Sequence, residues 1–514
     1  MESYISLVCL SAGIFAPVLI ILLLKCKKAT DSMARNIPPG PPAWPIFGNI
    51  FYLLGTMPHQ KLYNLRPKYG PVIWLKLGSV NTMVIQSANA AADFFKNHDL
   101  PYANRVVPDA MTAWSFDQAS LGFAPYGAYW RMLRKIFSTE LLVQRRLNDS
   151  TVIREKFIDR LVDWIEEEAA ASPGLGGSGE VELPHLLFLM ALNLVGNLIL
   201  SRDLFDLKSK EGQEFFNAMN NVMVWAGKPN VADFWPFLKW LDPQRIKKNM
   251  VKDMGIAVNL AASFVKERSQ QNISDSKKAN KDFLDMLLEF KGDGKEWHDK
   301  ISDHNISIII LEMFFGGSET TSSTIEWVLA ELLRSPETMK KVKEELHRVI
   351  GPNKKIKESD IDKLSYLQAV VKETLRLHPA LPLLLPRYST KDTNYMGYLI
   401  PKGTQVFVNA WAIGRDPDVW EDPSSFKPER FLDSTIEYNG QNFEMIPFGS
   451  GRRICMGLDL AHRILHLCLA TLLWSFDWQL DISSTPETMD MRERMGITLR
   501  KLVPLRAIPK KRLQ

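Results

Sequence analysis

From Tyr4 to Leu24 the chain runs 21 residues without a charged side chain. As a helix such a run crosses about 30 Å of hydrocarbon. No globular surface accommodates it, so whatever fold the rest adopts must be built without it. Glu2 is the only charged side chain before the run, and Lys25, Lys27 and Lys28 follow it. The basic flank belongs on the cytosolic side, which predicts a single-pass anchor over residues 1–28 with the remaining chain on the cytosolic face. A cleaved signal peptide would carry a basic start and a shorter apolar region. An uncleaved leader of other topology is the alternative. On the predicted topology the N-x-S triplets at Asn148, Asn272 and Asn305 stay bare. Of four cysteines, Cys9 and Cys26 fall in or beside the run, leaving Cys455 and Cys468. Two thiols in so long a body are no disulfide framework and suit a reducing compartment. The net charge of +5 is too small to argue for a nucleic-acid partner.

Next comes Pro38-Pro-Gly-Pro-Pro-Ala-Trp-Pro45, five prolines in eight residues. Such a stretch cannot continue a helix and favours a stiff extended turn, which sets a hinge over residues 29–50. Short strand-like runs follow, Val72-Ile-Trp-Leu-Lys-Leu and Thr82-Met-Val-Ile. Beyond about residue 90 the pattern is mostly helical. The Gly-rich stretch 172–179 and the polar stretch 269–282 read as surface connectors, since similar helical patterns resume on both sides. Residues 51–514 are therefore expected to form one mainly α domain with a minor β part. Within it, Asn305 to Arg334 reads as one long apolar helix interrupted by Gly316-Gly-Ser-Glu-Thr-Thr321. Two glycines cost a helix interior about 1 kcal/mol each, and an acid with hydroxyls in an apolar stretch adds a desolvation cost.

The stretch Phe448-Gly-Ser-Gly-Arg-Arg-Ile-Cys-Met-Gly457 surrounds one cysteine with glycines and arginines. A thiolate ligand needs nearby positive charge or N–H donors. Gly449, Gly451 and Gly457 allow the backbone to curl and turn its N–H groups toward sulfur. Arg452 and Arg453 bring charge that also suits an anionic cofactor's carboxylates. An inert buried cysteine has no use for such surroundings. His462 and His466 share a helix face four residues apart, a zinc-like spacing. However, residue 463 is arginine and no second cysteine lies at ligand spacing.

These ten residues fill every fixed place of F-x-x-G-x-R-x-C-x-G: Phe448, Gly451, Arg453, Cys455 and Gly457. The chain thereby resembles the haem-thiolate monooxygenases, the cytochromes P-450, and further motifs agree in order. Glu373-Thr-Leu-Arg376 resembles the family's E-x-x-R, and Pro428-Glu-Arg-Phe431 its P-E-R-F box, whose arginine joins that pair in a buried structural triad. Gly316 to Thr321 resembles the oxygen-binding groove, where the family's helix loosens, with Gly316 for the commoner alanine and Glu319 for the commoner aspartate. The resemblance implies the P-450 fold and haem b, with iron held by Cys455. Trp130 and Arg134 of a W-x-x-x-R pair, Arg387, Phe448 and Arg453 are the implied cofactor-binding residues, the first three and Arg453 at the propionates. Thr320 and Glu319 are implied to be catalytic, the hydroxyl hydrogen-bonding to oxygen and the acid feeding protons through water.

The resemblance further implies an NADPH-dependent cytochrome P-450 reductase as electron donor, docking near Arg131, Lys135 and Arg452, and an endoplasmic-reticulum location. Substrate-facing segments are expected at Arg105 to Phe123, Val222 to Trp240, Met313 to Thr320, Ala380 to Leu385 and Met495 to Leu499. They carry Trp114, Phe116, Val222, Trp225, Phe315, Leu383 and Ile497, and so suit an apolar substrate. In style the chain is similar to plant microsomal members that oxidise monoterpenoids and iridoids. Alkaloid, diterpenoid or phenolic substrates are the alternatives, and a haem protein without turnover or an anchored scaffold without cofactor are readings from other classes.

Overall fold

The computed structural model describes residues 36–512 apart from Leu54, Thr56, 172–178, 275–280, 293–299, Asn353 and 481–483. The expected anchor and the first part of the hinge lie outside the described residues. The helices that position the site are α1 (Ala128–Ile136), α2 (Leu183–Leu200), α3 (Ile246–Ser274), α4 (Asp303–Arg334), α5 (Ser365–Leu377) and α6 (Leu458–Ser475). Among the described residues α2 alone is long and apolar enough to cross a membrane, but 78% of it is buried inside the protein. It is apolar all round because it is enclosed all round.

Ser302 caps α4 by accepting the Asn305 N–H at 3.2 Å, and the Ser335-Pro336 step ends it. The helix packs against α2, α3, α5 and α6, which is why its apolar residues cover most of its circumference instead of one stripe. Asn305 to Arg334 is one helix, as the sequence reads, and it runs unbroken through the two glycines where the family resemblance implies a loosened turn. Packing explains the difference. A Cβ on Gly317 would lie 2.6 Å from a Val195 methyl of α2. The missing side chain therefore lets two helices touch, and that contact offsets the glycine's low helix propensity.

The larger sheet has strands β1 (Val72–Leu77), β2 (Val80–Ile85), β3 (Asn104–Arg105), β4 (Arg387–Tyr388) and β5 (Gln405–Val408), in the order β1-β2-β5-β4-β3. Only β2 and β5 pair in parallel; the other neighbours are antiparallel. The β3–β4 register sets Arg105 directly opposite Arg387.

A largely enclosed ion group is centred on Glu373. Glu373 and Arg376 of α5 are both 0% exposed. Arg376 donates to both Glu373 oxygens at 2.7 Å and to the carbonyls of Gly414, Pro423 and Ser425 at 2.5, 2.7 and 3.2 Å. Arg430 adds a bond to Glu373 at 3.1 Å, and so does the Lys427 N–H at 2.8 Å. This is the triad the motifs imply. Each charge is met by an opposite charge or a carbonyl, as burial demands.

Candidate active site

The cysteine loop turns on two of its three glycines. Gly449 and Gly451 have φ of 72° and 69°, a region that suits glycine, whereas Gly457 has an ordinary φ of −80°. A Cβ on Gly451 would lie 2.7 Å from Asp99, so the glycine also admits that carboxylate. The Phe448 carbonyl accepts the Cys455 N–H at 3.0 Å and closes the loop, while the Phe448 ring packs on Tyr438 at 5.4 Å. Cys455 keeps accessible surface although protein surrounds its thiol. Burial pushes its thiol up, against the Gly457 N–H that points at the sulfur and the nearby Arg134 guanidinium. Of the N–H donors that the glycines were expected to offer, Gly457's reaches the sulfur.

The sequence-predicted basic residues converge beside this loop. Arg134 donates to the Ile454 carbonyl at 3.0 Å. Its guanidinium lies 5.4 Å from the Trp130 ring centroid, and that of Arg453 lies 4.4 Å from the same ring. Arg453 donates to the carbonyls of Ala103, Leu121 and Ala124 at 2.8, 3.1 and 2.6 Å. The Leu121 carbonyl also accepts from Trp130 Nε1 at 3.0 Å. Arg387 reaches Asp99 at 2.5 Å and the Ser450 carbonyl at 3.1 Å. Asp99 also holds the more exposed Arg452, through its N–H at 2.9 Å and its guanidinium at 3.3 Å.

Sequence reading did not single out Arg105 for this cluster. It donates to the Leu385 carbonyl at 2.6 Å, but its buried Nε has no hydrogen-bond partner. Burial and the charges of Arg387 and Arg453 push Arg105 well below the usual guanidinium range. Burial, Arg387 and Arg134 likewise push Arg453 down to about 9. Four guanidinium groups thus repel one another across a small volume, with Asp99 as the carboxylate bonded among them. A group with two carboxylates is the chemical complement of such a cradle.

The long helix turns one open face to this region. Glu312, Gly316 and Thr320 are four residues apart and share that face. Gly316 is exposed in the largely buried middle of the helix, and a Cβ added there would meet nothing within 4 Å. Thr320 Oγ1 donates to the Gly316 carbonyl at 2.7 Å. Glu312, also missed, accepts from the N–H groups of Leu121 and Gly122 at 2.5 and 2.6 Å. It thereby ties the open face to the peptide whose Leu121 carbonyl binds Trp130 and Arg453. Burial pushes the Glu312 carboxyl up to about 7, with the Gly122 and Leu121 N–H groups and Arg453 opposing. An acid inside Ile308-Ile-Ile-Leu-Glu-Met-Phe-Phe315 was the available signal. Glu319 does not share the open face with Thr320. Its buried carboxylate pairs with Arg500 of the C-terminal segment.

An apolar cavity of about 660 Å³ adjoins the cradle, and Arg105, Phe123 and Leu385 are in its wall. Four of the five expected segments contribute to it, Met313 to Thr320 being the exception. Of the seven residues singled out, Leu383 and Ile497 line it. The others make contacts elsewhere: Phe116 meets Phe123 and Phe315 edge-on, Trp225 Nε1 donates to Asp253 at 2.7 Å, Trp114 Nε1 donates to the Val251 carbonyl at 2.9 Å, and Val222 is in the core. His462 is hydrogen-bonded to Tyr438, and His466 to the His462 carbonyl at 2.7 Å. Among the described residues no group of three His, Cys, Asp or Glu could hold a metal ion, so the zinc-like spacing has no partners.

The donor set fits haem b: one thiol with an N–H donor for iron, and a cationic cradle with an orphaned guanidinium nitrogen for two propionates. The cytochrome P-450 family model matches residues 38–504. An iridoid oxidase from Catharanthus roseus is 56% identical, covering 98% of this chain and 97% of its own. A geraniol 8-hydroxylase from the same plant is 42% identical over 92% of this chain and 94% of its own. A zebra fish cytochrome P-450 solved with progesterone superposes with a TM-score of 0.75 at 25% identity, covering 89% of this chain and 100% of its own. The family match over residues 38–504 and relatives 56% and 42% identical over nearly the whole chain place this protein in the cytochrome P-450 family, as a monooxygenase whose cofactor is haem b.

Proposed function

We propose that the enzyme hydroxylates or further oxidises an allylic carbon of a monoterpenoid or iridoid. Two findings support this reading: an apolar cavity against the cradle, and extended similarity to an iridoid oxidase and a geraniol 8-hydroxylase. The cavity observation carries it, because Met111, Phe123, Leu383, Leu384, Leu385 and Ile497 make its lining mainly apolar, with polar groups such as Asn104, Arg105, Asp117 and Lys239 among them. A small apolar skeleton with one oxygen function matches that lining.

Bound haem supplies oxygen activation with electrons from a partner flavoprotein, and the thiolate favours O–O cleavage. The chain's own residues hold the rest of the arrangement. Cys455 ligates through a sulfur that Gly457 N–H and Arg134 support. Arg105, Arg134, Arg387 and Arg453 bind the propionates, and Trp130 keeps two of those guanidinium groups in place. Thr320 presents its hydroxyl on the open helix face, and Glu319 is the acid that supplies protons there.

An NADPH-dependent reductase is the proposed electron donor, docking by the exposed Arg131, Lys135 and Arg452. Residues 1–28 are the proposed anchor, 29–50 the hinge and 51–514 the catalytic domain, on the cytosolic face of the endoplasmic reticulum. A cluster of exposed apolar side chains supports membrane contact. Trp44, Ile46, Phe47 and Phe51 lie at the end of the proline stretch and just after it, and the Phe47 ring meets Trp235 edge-on at 5.9 Å, close in sequence to exposed Phe237 and Trp240. Soluble surfaces rarely gather such residues.

The test is turnover in membranes holding this protein, a plant reductase and NADPH, offered monoterpenols, iridoids, alkaloid precursors and phenolics. Gain of one oxygen on a terpenoid, or an alcohol taken to aldehyde or acid, is expected. Product from an alkaloid or phenolic alone overturns the substrate reading.

A further inference from the structure

Glu319 stands next to Thr320 on α4, yet consecutive helix residues point about 100° apart. Its carboxylate therefore leaves the open face and meets a β-hairpin from the chain's end. Arg500 donates Nη2 to Glu319 and, at 3.3 Å, to Ser322 Oγ. The two charged side chains are 9% and 6% exposed. Arg500 lies on the strand Leu499–Lys501, paired with Glu493–Met495 in the register Met495↔Leu499 and Arg494↔Arg500. That strand is fastened to α4 by Ser323 Oγ on the Leu499 carbonyl at 2.8 Å. Its other tie is the Leu499 N–H on the Ala380 carbonyl, also at 2.8 Å. Meanwhile Met495, Gly496 and Ile497, at the turn of the hairpin, line the apolar cavity. One hairpin thus presents an apolar turn to the cavity and a guanidinium to the acid.

We propose that Arg500 is a positioning residue that holds Glu319 turned away from the Thr320 face, and that its hairpin ties release of this acid to the cavity wall. The proposal rests on the reading of Glu319 as the proton source. Breaking a buried ion pair strands a charge, so the carboxylate leaves Arg500 only once it takes up a proton. A carboxyl that then gives its proton to the open face becomes the carboxylate that Arg500 recaptures, and solvent restores the proton. Burial pushes Glu319 up from the usual carboxylate range while Arg500 and the more distant Arg494 oppose it. Glu326, one heptad along α4, and Lys501 complete the charged surroundings. Glu326 is occupied by the Leu505 N–H at 2.9 Å, and Lys501 by the Asp490 carbonyl.

The experiment uses the full haem-loaded chain and the variants Arg500→Gln, Arg500→Lys and Glu319→Gln. Two quantities are read without substrate: the infrared carboxyl band that Glu319→Gln removes, and NADPH consumption with reductase. Arg500→Gln is expected to enlarge the band at least twofold and to raise NADPH consumption several-fold, with Arg500→Lys between it and the unmodified chain. Should Arg500→Gln not fold, Arg500→Lys is judged by the same two signs. An unchanged band and unchanged consumption in the arginine variants, with consumption slowed in Glu319→Gln, overturn the proposal and leave Glu319 as proton source. If Glu319→Gln leaves consumption and its solvent isotope effect untouched, the proton-source reading falls. The infrared band then still decides whether Arg500 holds the acid.

Discussion

Two groups of arginines in this molecule are built on opposite terms. Around Glu373, each guanidinium has a carboxylate and carbonyl oxygens, and the group is closed. Around Cys455, Arg105, Arg134, Arg387 and Arg453 crowd together, and one of them keeps a buried nitrogen without a partner. A closed group belongs to the scaffold. A group with excess charge of one sign is stabilised only by something else, and that distinguishes the binding site physically, without reference to any motif.

The largest expected effect breaks the closed group. Glu373→Gln leaves two buried guanidinium groups short of charge and should cost about 3–5 kcal/mol. Thermal melting and soluble yield should fall for haem-free and haem-loaded protein alike. Next comes Glu312, whose carboxyl is raised to about 7 in the fold, against about 4.3 in an unfolded chain. The folded state then binds the extra proton, so this contribution is full below about pH 4 and is lost as pH rises through 7, by about 4 kcal/mol in all. Glu312→Gln should flatten the fall in melting temperature between pH 5 and pH 8 relative to the unmodified chain. An equally steep fall would remove Glu312 from the explanation.

Adjacent glycines sharpen the comparison at smaller scale. Gly317→Ala places a methyl 2.6 Å from Val195 in the scaffold and should cost about 1–3 kcal/mol, much of it recovered by Val195→Ala in the same chain. Gly316→Ala meets nothing and should gain up to about 1 kcal/mol of helix stability in denaturant melts of the haem-free protein. Equal destabilisation by both would contradict the open face.

Much of this was legible in the sequence, where short-range spacing carries the physics. Glu373 and Arg376 are one helix turn apart, Trp130 and Arg134 likewise, and the loop around Cys455 is contiguous. What escaped is long-range. Arg105 gains its meaning from a two-residue strand paired with Arg387, and Asp99 meets Arg387 across 288 residues of chain. Glu319 and Arg500 are 181 residues apart, so nothing local says that the acid turns from its threonine neighbour. Aromatic residues such as Trp225 and Phe116 were misplaced for a related reason. An apolar side chain serves a core as well as a cavity, and the sequence does not record which side of a segment faces inward. The unbroken run through Gly316 and Gly317 depended on Val195, a contact with a different helix.

The most direct test of the charge argument is a paired measurement on Arg105→Met: the melting temperature of the haem-free chain and the rate at which haem leaves the loaded one. The account predicts that the haem-free protein melts no lower than the unmodified chain, because like-charge repulsion is relieved, while haem leaves about tenfold faster, a difference of about 1.4 kcal/mol. A haem-free form that melts well below the unmodified chain, with haem release unchanged, would place Arg105 in the scaffold and contradict the account.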